Sequence, residues 1–233
     1  MIRLAGVVLD RGDTRVLDGV DLEVTAGSCV VLTGANGAGK SSLLWTIPGL
    51  LTPTRGRVTV AGTTPQEDRF TVRSTVGLLL QSPAELFVAE TVAADVAFGP
   101  ENLGLARGEV ARRVDEALTR VGLPAAHERS IRSLSGGEAR WVALAGLLAM
   151  QPRVLLLDEP AAGLDAPGRR RLQALIDTEL DAGHTVLIAT HTSELFAHRV
   201  TEDLRLAGAA IARWSRRPPP TRGWSSCPRW RSH

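Results

Sequence analysis

A glycine-rich segment with a single lysine constrains this sequence more than any other feature. The segment fits the pattern G-x-x-x-x-G-K-[ST] and follows a short apolar run, residues 29–32, that is typical of a buried strand. In such a segment backbone N–H groups close around phosphate oxygens at the positive end of a helix. The lysine neutralises the β- and γ-phosphates, and the serine hydroxyl binds Mg²⁺. The predicted nucleotide-binding residues are Gly34, Ala35, Asn36, Gly37, Ala38, Gly39, Lys40, Ser41 and Ser42.

A second apolar strand pattern, residues 154–157, ends in two adjacent carboxylates, Asp158 and Glu159. In a parallel sheet, ligands bind at the carboxyl ends of the strands. Asp158 is therefore expected to hold Mg²⁺, directly or through water, and Glu159 to orient and deprotonate the water that attacks the γ-phosphate. Taken alone, Asp-Glu-Pro could simply end a strand. Together with Lys40, it indicates a P-loop nucleoside triphosphatase.

The order of strand and helix patterns predicts an α/β fold with a mostly parallel sheet. Residues 2–33 have strand patterns, and no strand pattern occurs between residues 83 and 150, which predicts an inserted helical subdomain. Further strands are expected at residues 57–60, 75–80, 154–157 and 185–190, and helices after Gly39, over 109–121, over 168–180 and after Thr192 or Ser193.

Charge and composition distinguish the C-terminal segment from the rest of the chain. The formal net charge is +2, but the last 21 of the 233 residues contain six arginines and no acid, so the rest of the chain carries −4. The net negative charge of residues 1–212 does not indicate nucleic-acid binding. We expect residues 1–212 to form the folded domain, with its helical part at about 83–150, and residues 213–233 to form a disordered Arg/Pro/Trp-rich tail.

Neither a membrane span nor a secretory signal is expected. The longest apolar stretch, residues 142–150, is far shorter than a bilayer span, and the N-terminus leads directly into strand-like sequence. The two cysteines, Cys29 and Cys227, do not form a disulfide framework. These patterns favour a protein of the cytosol.

A third motif, Ser135, Gly136, Gly137 and Glu138, lies just before a predicted helix and presents a second anion-binding helix end. By itself it could be a simple helix cap. In its order after the P-loop and about twenty residues before Asp158, it resembles the signature motif of ATP-binding cassette (ABC) ATPases. In that family the signature of one subunit closes over the ATP held by the other, and the fold has an N-terminal antiparallel β-subdomain and an inserted helical subdomain.

The same resemblance assigns roles to four further residues. It implies that Gln81 contacts Mg²⁺ and links the site to the helical subdomain, that Asp165 bridges the two subunits, and that His191 contacts the γ-phosphate. A lone glutamine, aspartate or histidine would more often be structural. Arg11 stands where the family commonly stacks adenine on an aromatic ring, and a guanidinium plane can also stack on a base. Glu138 replaces the usual signature glutamine.

Residues 76–83, 91–105, 145–150 and 158–165 are similar to the ATPase subunits of energy-coupling factor transporters, which include cobalt and nickel uptake ATPases. The resemblance implies an ATPase that powers uptake of a metal ion or a vitamin. Its implied partners are a second ATPase subunit, identical or paralogous, a membrane T-component and a substrate-binding S-component, and its place is the cytoplasmic face of the membrane. Leu86, Phe87 and Val88 beside Glu85 are candidates for the groove that receives the T-component, and ordinary packing explains them equally well.

Two other functions remain open from the sequence. Soluble ABC ATPases act as nucleotide switches in translation or DNA repair, but they usually carry two cassettes or a long coiled-coil insertion, and neither pattern is present. A P-loop kinase would need an acceptor pocket and a lid, and it would not explain the motif at residues 134–138 or His191.

Overall fold

The computed structural model describes residues 1–82 and 87–216, and for residues 212–216 it describes the backbone alone. The strands are β1 (Ile2–Arg11), β2 (Thr14–Val24), β3 (Cys29–Gly34), β4 (Arg55–Val60), β5 (Val76–Leu79), β6 (Val154–Asp158), β7 (Thr185–Ala189), β8 (Glu202–Ala207) and β9 (Ala210–Arg216). The helices are α1 (Lys40–Thr46), α2 (Arg69–Thr75), α3 (Val92–Asn102), α4 (Arg107–Arg120), α5 (Gly136–Ala149) and α6 (Ala166–Asp181).

Two sheets make up the core of the molecule. The smaller sheet is antiparallel, with the strand order β2-β1-β4. The larger sheet has six strands in the order β5-β6-β7-β3-β8-β9, and only the pairing of β8 with β9 is antiparallel. The predicted α/β class, with its mostly parallel sheet and antiparallel N-terminal sheet, is therefore confirmed.

The register of the large sheet brings three strand ends to one edge. Asp158 of β6 is paired with Ala189 of β7, and Ala189 is also paired with Leu32 of β3. The chain leaves β3 through the glycine-rich loop, β6 through Glu159 and β7 through Thr190. Parallel pairing therefore places all three candidate segments side by side.

Both faces of the large sheet are covered, which explains its continuous apolar strands. Successive side chains of one strand enter different clusters: Val31 and Leu157 lie in the cluster with the helices of residues 92–149 and α6. Val30 and Leu156 lie in the cluster with α1 and the antiparallel sheet. This alternation follows from the period of two in a strand.

Residues 92–149 contain three helices that pack against one another. The predicted apolar face of α4 is buried at Val110, Val114 and Leu118. Contact between α3 and α5 is close at Gly99, because a Cβ there would lie 2.6 Å from Cγ of Met150. None of the helices in the described part of the chain is long and apolar enough to cross a bilayer.

Three local predictions need correction. Residues 69–75 form α2, which was not predicted, so the strand expected at 75–80 is limited to Val76–Leu79. Asp68 caps α2 by accepting a hydrogen bond from the Thr71 N–H, but Val72 is its one buried residue, and so the helix lacks an apolar periodicity. The helix expected after Thr192 is a single 3₁₀ turn, Ser193–Phe196.

The C-terminal limit of the fold also differs from the expectation. β9 runs to Arg216, four residues beyond the predicted domain end at residue 212. It pairs antiparallel with β8 along the edge of the sheet, and the N–H of Asp18 donates to the carbonyl of Ala209 in the turn between the two strands. The remainder of the predicted tail, residues 217–233, lies outside the described residues.

Candidate functional site

The loop between β3 and α1 has a backbone that depends on its glycines. Gly34, Gly37 and Gly39 have φ angles of 151°, 77° and 98°, which residues with a Cβ rarely adopt. A Cβ at Gly34 would lie 2.5 Å from the carbonyl oxygen of Leu206, and one at Gly39 would lie 2.9 Å from that of Val16. Both conformation and packing therefore require glycine here.

Lys40 begins α1 and is only 8% exposed. Its Nζ donates hydrogen bonds to the carbonyl oxygens of Gly34, at 2.8 Å, and Ala35, at 3.1 Å. These neutral acceptors are weaker partners than phosphate oxygens. A triphosphate that enters the loop would therefore meet a positive charge that the protein already holds in place.

Asp158 lies beside this loop with 2% of its surface exposed. Burial raises the pKa of its carboxyl and the charge of Glu159 raises it further, while a hydrogen bond from Ser41 and the charge of Lys40 lower it. A divalent cation would compensate the desolvated carboxylate. Hydroxyl and carboxylate oxygens are also the hard ligands that Mg²⁺ prefers.

The site fits Mg²⁺ that is bound together with a nucleotide. Within residues 1–82 and 87–216, no group of three or more His, Cys, Asp or Glu side chains is arranged to hold a metal ion. Mg²⁺ is commonly held by one or two carboxylates together with substrate phosphates, so a complete protein cage is not needed. Ser41 and Asp158 would hold the ion here, and it would neutralise charge on the transferred phosphoryl group.

Glu159 has a fixed and strained position next to Asp158. Its φ angle of 47° is uncommon for a residue with a side chain and costs about 1–3 kcal/mol. Its N–H donates to the carbonyl of Ala189 at 2.8 Å. Nδ1 of His191 lies 2.8 Å from Oε1, and the hydroxyl of Thr190 donates to Oε2 at 3.2 Å. The carboxylate is thus oriented at both oxygens, as a general base requires.

The structure brings together five of the residues that the sequence predicted for the nucleotide site. Ser41, Lys40 and Glu159 all act on Asp158, and His191 contacts Glu159. The hydroxyl of Thr190, which the sequence analysis did not select, completes the group. A threonine that directly precedes a candidate histidine at a strand end is the signal that could have identified it.

Three other candidates take part in none of the side-chain contacts described above. Arg11 ends β1, with its guanidinium 6.0 Å from the centre of the Trp45 ring. Asp165 caps α6 by accepting a hydrogen bond from the N–H of Gly168 at 2.8 Å. Gln81 is exposed. Their roles toward adenine, the second subunit and Mg²⁺ stay predictions.

Arg140, in the first half of α5, connects two of the candidate segments and was missed by the sequence analysis. Its Nη1 donates to the carbonyl of Glu159 at 2.8 Å and its Nη2 to the carbonyl of Gln81 at 3.0 Å. It is 9% exposed, and burial lowers the pKa of its guanidinium while Glu159 opposes that shift. A single arginine within the otherwise apolar residues 139–149 is the signal that could have revealed it.

We expect Arg140→Met to slow ATP turnover about tenfold and to lower stability. The buried carbonyl of Glu159 would lose its donor, at about 1–3 kcal/mol for an unsatisfied group, and the more exposed carbonyl of Gln81 would lose one as well. Arg140→Lys keeps the charge, but a compact ammonium lacks the planar fork that serves two carbonyls, so we expect partial rescue. Steady-state kinetics and thermal unfolding of the three proteins measure both effects. Unchanged turnover and unchanged unfolding in Arg140→Met would contradict this role.

The second helix end predicted by the sequence is the N-terminus of α5. Ser135 caps it: its Oγ accepts a hydrogen bond from the N–H of Glu138 at 3.3 Å, and Oε2 of Glu138 accepts one from the N–H of Ser135 at 2.9 Å. A Cβ on Gly136 or Gly137 would meet no atom within 4 Å. The start of α5 therefore faces open space, where an anion could approach it.

The strand-end edge and its loop have the geometry and charge to hold a nucleoside triphosphate. The inserted helices and the open start of α5 are features of the cassette type of P-loop ATPase. The sequence profile described as ABC transporter matches residues 17–162, and the chain belongs to this family of ATPases.

Three relatives in the family illustrate which ATP-binding proteins this chain is similar to. The chain is 46% identical over 191 residues to a putative ABC transporter ATP-binding protein of Halobacterium salinarum, with 82% of each chain covered. It is 45% identical to the energy-coupling factor transporter ATP-binding protein of Methanocaldococcus jannaschii, over 78% of this chain and 66% of that protein. It is 44% identical to the cobalt import ATP-binding protein of Rhodobacter capsulatus, over 80% of this chain and 68% of that protein. The match thus spans about two thirds of the length of the last two relatives.

Solved structures agree with the fold. The chain superimposes on cbiO1 of Clostridium perfringens, part of the ABC transporter complex cbiONQ, with a TM-score of 0.80 and 30% identity, over 91% of this chain and 86% of that one. A dimeric ATP-binding cassette in a post-hydrolysis state with ADP and Pi gives a TM-score of 0.80 and 25% identity, over 93% and 98% of the two chains.

Proposed function

We propose that the chain is the ATP-binding and ATP-hydrolysing subunit of an energy-coupling factor type importer that takes up a metal ion or a vitamin. The observation that carries this proposal is the nucleotide site at the edge of the sheet, together with relatives named for energy-coupling factor transport and for cobalt import. By the same relationship, its partners are a second ATPase subunit, a T-component and an S-component. Its place is at the cytoplasmic face of the membrane.

In this function, ATP drives association and its hydrolysis ends it. Lys40 and the loop amides bind the triphosphate, and the open start of α5 in a second subunit, identical or paralogous, closes over it. Glu159, oriented by His191 and Thr190, takes a proton from the attacking water. Loss of the γ-phosphate then removes the anion that holds the two halves together, and the pair reopens.

An apolar groove next to α2 supports docking to a membrane partner. Phe70 and Phe98 are 62% and 50% exposed, and with Leu103 and Met150 they line a cavity of about 600 Å³. Since α2 leads directly into β5, the groove adjoins the strand that ends just before Gln81. Exposed apolar patches of this kind are typical of protein interfaces. We assign the groove to a helix of the T-component.

The sequence had proposed other residues for this groove. Glu85 and Leu86 lie outside the described residues. Phe87 is half-buried and packs against the helical core cluster, as the ordinary packing alternative predicts. Val88 is 61% exposed and stays a candidate.

The docking assignment is tested by Phe70→Asp and Phe98→Asp in the assembled transporter. Each variant should reduce co-purification with the T-component at least tenfold, because a buried aromatic anchor contributes about 2 kcal/mol or more at an interface. Leu50→Asp is the matched control, because Leu50 is 51% exposed and does not line the groove. ATP affinity and thermal unfolding of the isolated subunits show that the variants are folded. Equal retention of the groove variants and the control would contradict the assignment.

The soluble nucleotide switch is the alternative function. The wild-type chain, co-expressed with candidate T-components and extracted in detergent, distinguishes the two. Association with a T-component supports the importer. Binding to ribosomes or DNA without any association with a T-component would contradict it.

A further inference from the structure

We propose that Arg129 is a positioning residue for the signature motif, because it neutralises Glu138 so that a carboxylate can stand at the helix end that closes over ATP. This inference rests on the proposed function, in which the start of α5 faces the nucleotide of a second subunit. It concerns Glu138, an acid in a position where the family usually has glutamine.

Both oxygens of the Glu138 carboxylate are engaged. Nη1 of Arg129 lies 2.7 Å from Oε1. Oε2 accepts hydrogen bonds from the N–H and the Oγ of Ser135, both at 2.9 Å. The guanidinium, the carboxylate and the signature serine therefore form one connected group at the N-terminus of α5.

The backbone of Arg129 is anchored on both sides. Its N–H donates to the carbonyl of Ala126 at 3.0 Å, and its carbonyl accepts from the N–H of Val92, the first residue of α3, at 3.0 Å. The backbone of the arginine is thus held within the helical region that carries the signature.

Electrostatics explain why the carboxylate needs this partner. The hydrogen bond from Arg129, followed by those from Ser135, lowers the pKa of Glu138 to about 2, so the carboxylate is ionised at neutral pH. Protonation therefore does not relieve repulsion between Glu138 and an approaching triphosphate. Instead, the guanidinium of Arg129, 2.7 Å from the carboxylate, relieves this repulsion by cancelling the negative charge locally.

Stability does not account for the pair. The side chains of Arg129 and Glu138 are 39% and 33% exposed, and exposed ion pairs contribute little to folding. Removal of the arginine should therefore affect the approach of the nucleotide far more than it affects unfolding.

The experiment is a double-mutant cycle in a Glu159→Gln parent, in which a closed dimer accumulates. Sedimentation velocity gives the MgATP concentration at half-maximal dimer for the parent, Arg129→Ala, Glu138→Gln and the combination of the two. Arg132→Ala is the matched control, since it removes an exposed arginine three residues away. We expect Arg129→Ala to raise the half-maximal concentration at least tenfold, whereas the same change in the Glu138→Gln background raises it less than about twofold.

Two further measurements distinguish a positioning role of Arg129 from a purely structural role. Arg129→Lys should restore most of the loss, because it returns the charge. The defect of Arg129→Ala should also shrink between about 50 mM and about 300 mM salt, because screening weakens the unpaired repulsion. A structural defect would show neither pattern.

The outcomes that overturn the inference are distinct from failure of the proposed function. If the parent dimerises and Arg129→Ala has the same effect with glutamate and with glutamine at position 138, or matches Arg132→Ala, Arg129 has no positioning role. If the parent binds MgATP and never dimerises, even with its transporter partners, the proposed closure is wrong, and the role of Arg129 fails with it.

Discussion

Glu159→Gln should abolish ATP hydrolysis while it leaves ATP binding intact. The amide occupies the same volume beside His191 and Thr190 but cannot accept a proton from water, and loss of a general base lowers turnover about 10²–10⁴-fold. Phosphate release measures hydrolysis, and a fluorescent ATP analogue measures binding. Since ATP then stays uncleaved, sedimentation velocity should show a dimer that forms only with MgATP.

The control for this variant is Glu194→Gln, the same change at an exposed carboxylate three residues beyond His191. It should turn over ATP like the wild type. Wild-type turnover in Glu159→Gln itself would refute the role of general base. An ATP-dependent dimer would support two identical, competent subunits, whereas a monomer that binds ATP would indicate a paralogous partner.

Lys40→Met should weaken ATP binding about 100-fold. The variant keeps the apolar stem of the side chain and loses the ammonium. In the wild-type structure this ammonium donates to the carbonyls of Gly34 and Ala35, and in the ATP complex it would neutralise phosphate charge. Two charge-assisted hydrogen bonds contribute about 3 kcal/mol together, which corresponds to that factor. Titration with a fluorescent ATP analogue gives the affinity directly.

Two variants control this experiment. Lys40→Arg tests charge alone, and we expect it to bind poorly because the planar guanidinium does not fit between the two carbonyls. Arg107→Met removes a positive charge from an exposed position at the start of α4 and should leave the affinity unchanged. Wild-type affinity in Lys40→Met would show that Lys40 does not bind the nucleotide.

The sequence predicted the centre of the fold better than its periphery. Residues 29–32, 154–157 and 185–189 lie in buried parallel strands with apolar side chains on both faces, so their patterns are continuous and easy to identify. In contrast, α2 buries only Val72 and β9 lies at a sheet edge, and neither position imposes a strong pattern. α2 depends on its cap at Asp68 and β9 on its pairing with β8, and neither contact produces an apolar periodicity in the sequence.

The residues of the candidate site also differ in how readily the sequence identifies them. Lys40, Ser41 and Asp158 belong to contiguous motifs whose residue types state their chemistry. Arg140 and Arg129 instead contact residues outside their own motifs. Arg140 donates to the carbonyls of Glu159 and Gln81, which are 19 and 59 residues away in the sequence, and Arg129 donates to the carboxylate of Glu138, nine residues away. A single sequence does not show which of its many arginines point toward a site, so these contacts required the structure.

The nucleotide loop also gives the protein an unusual chemical property. Lys40 is the single lysine of the 233-residue chain, it is only 8% exposed, and its amine is already engaged by the loop. An amine-selective acylating reagent therefore has one side-chain target among these residues, and its mass tag on residue 40 reports occupancy of the nucleotide site.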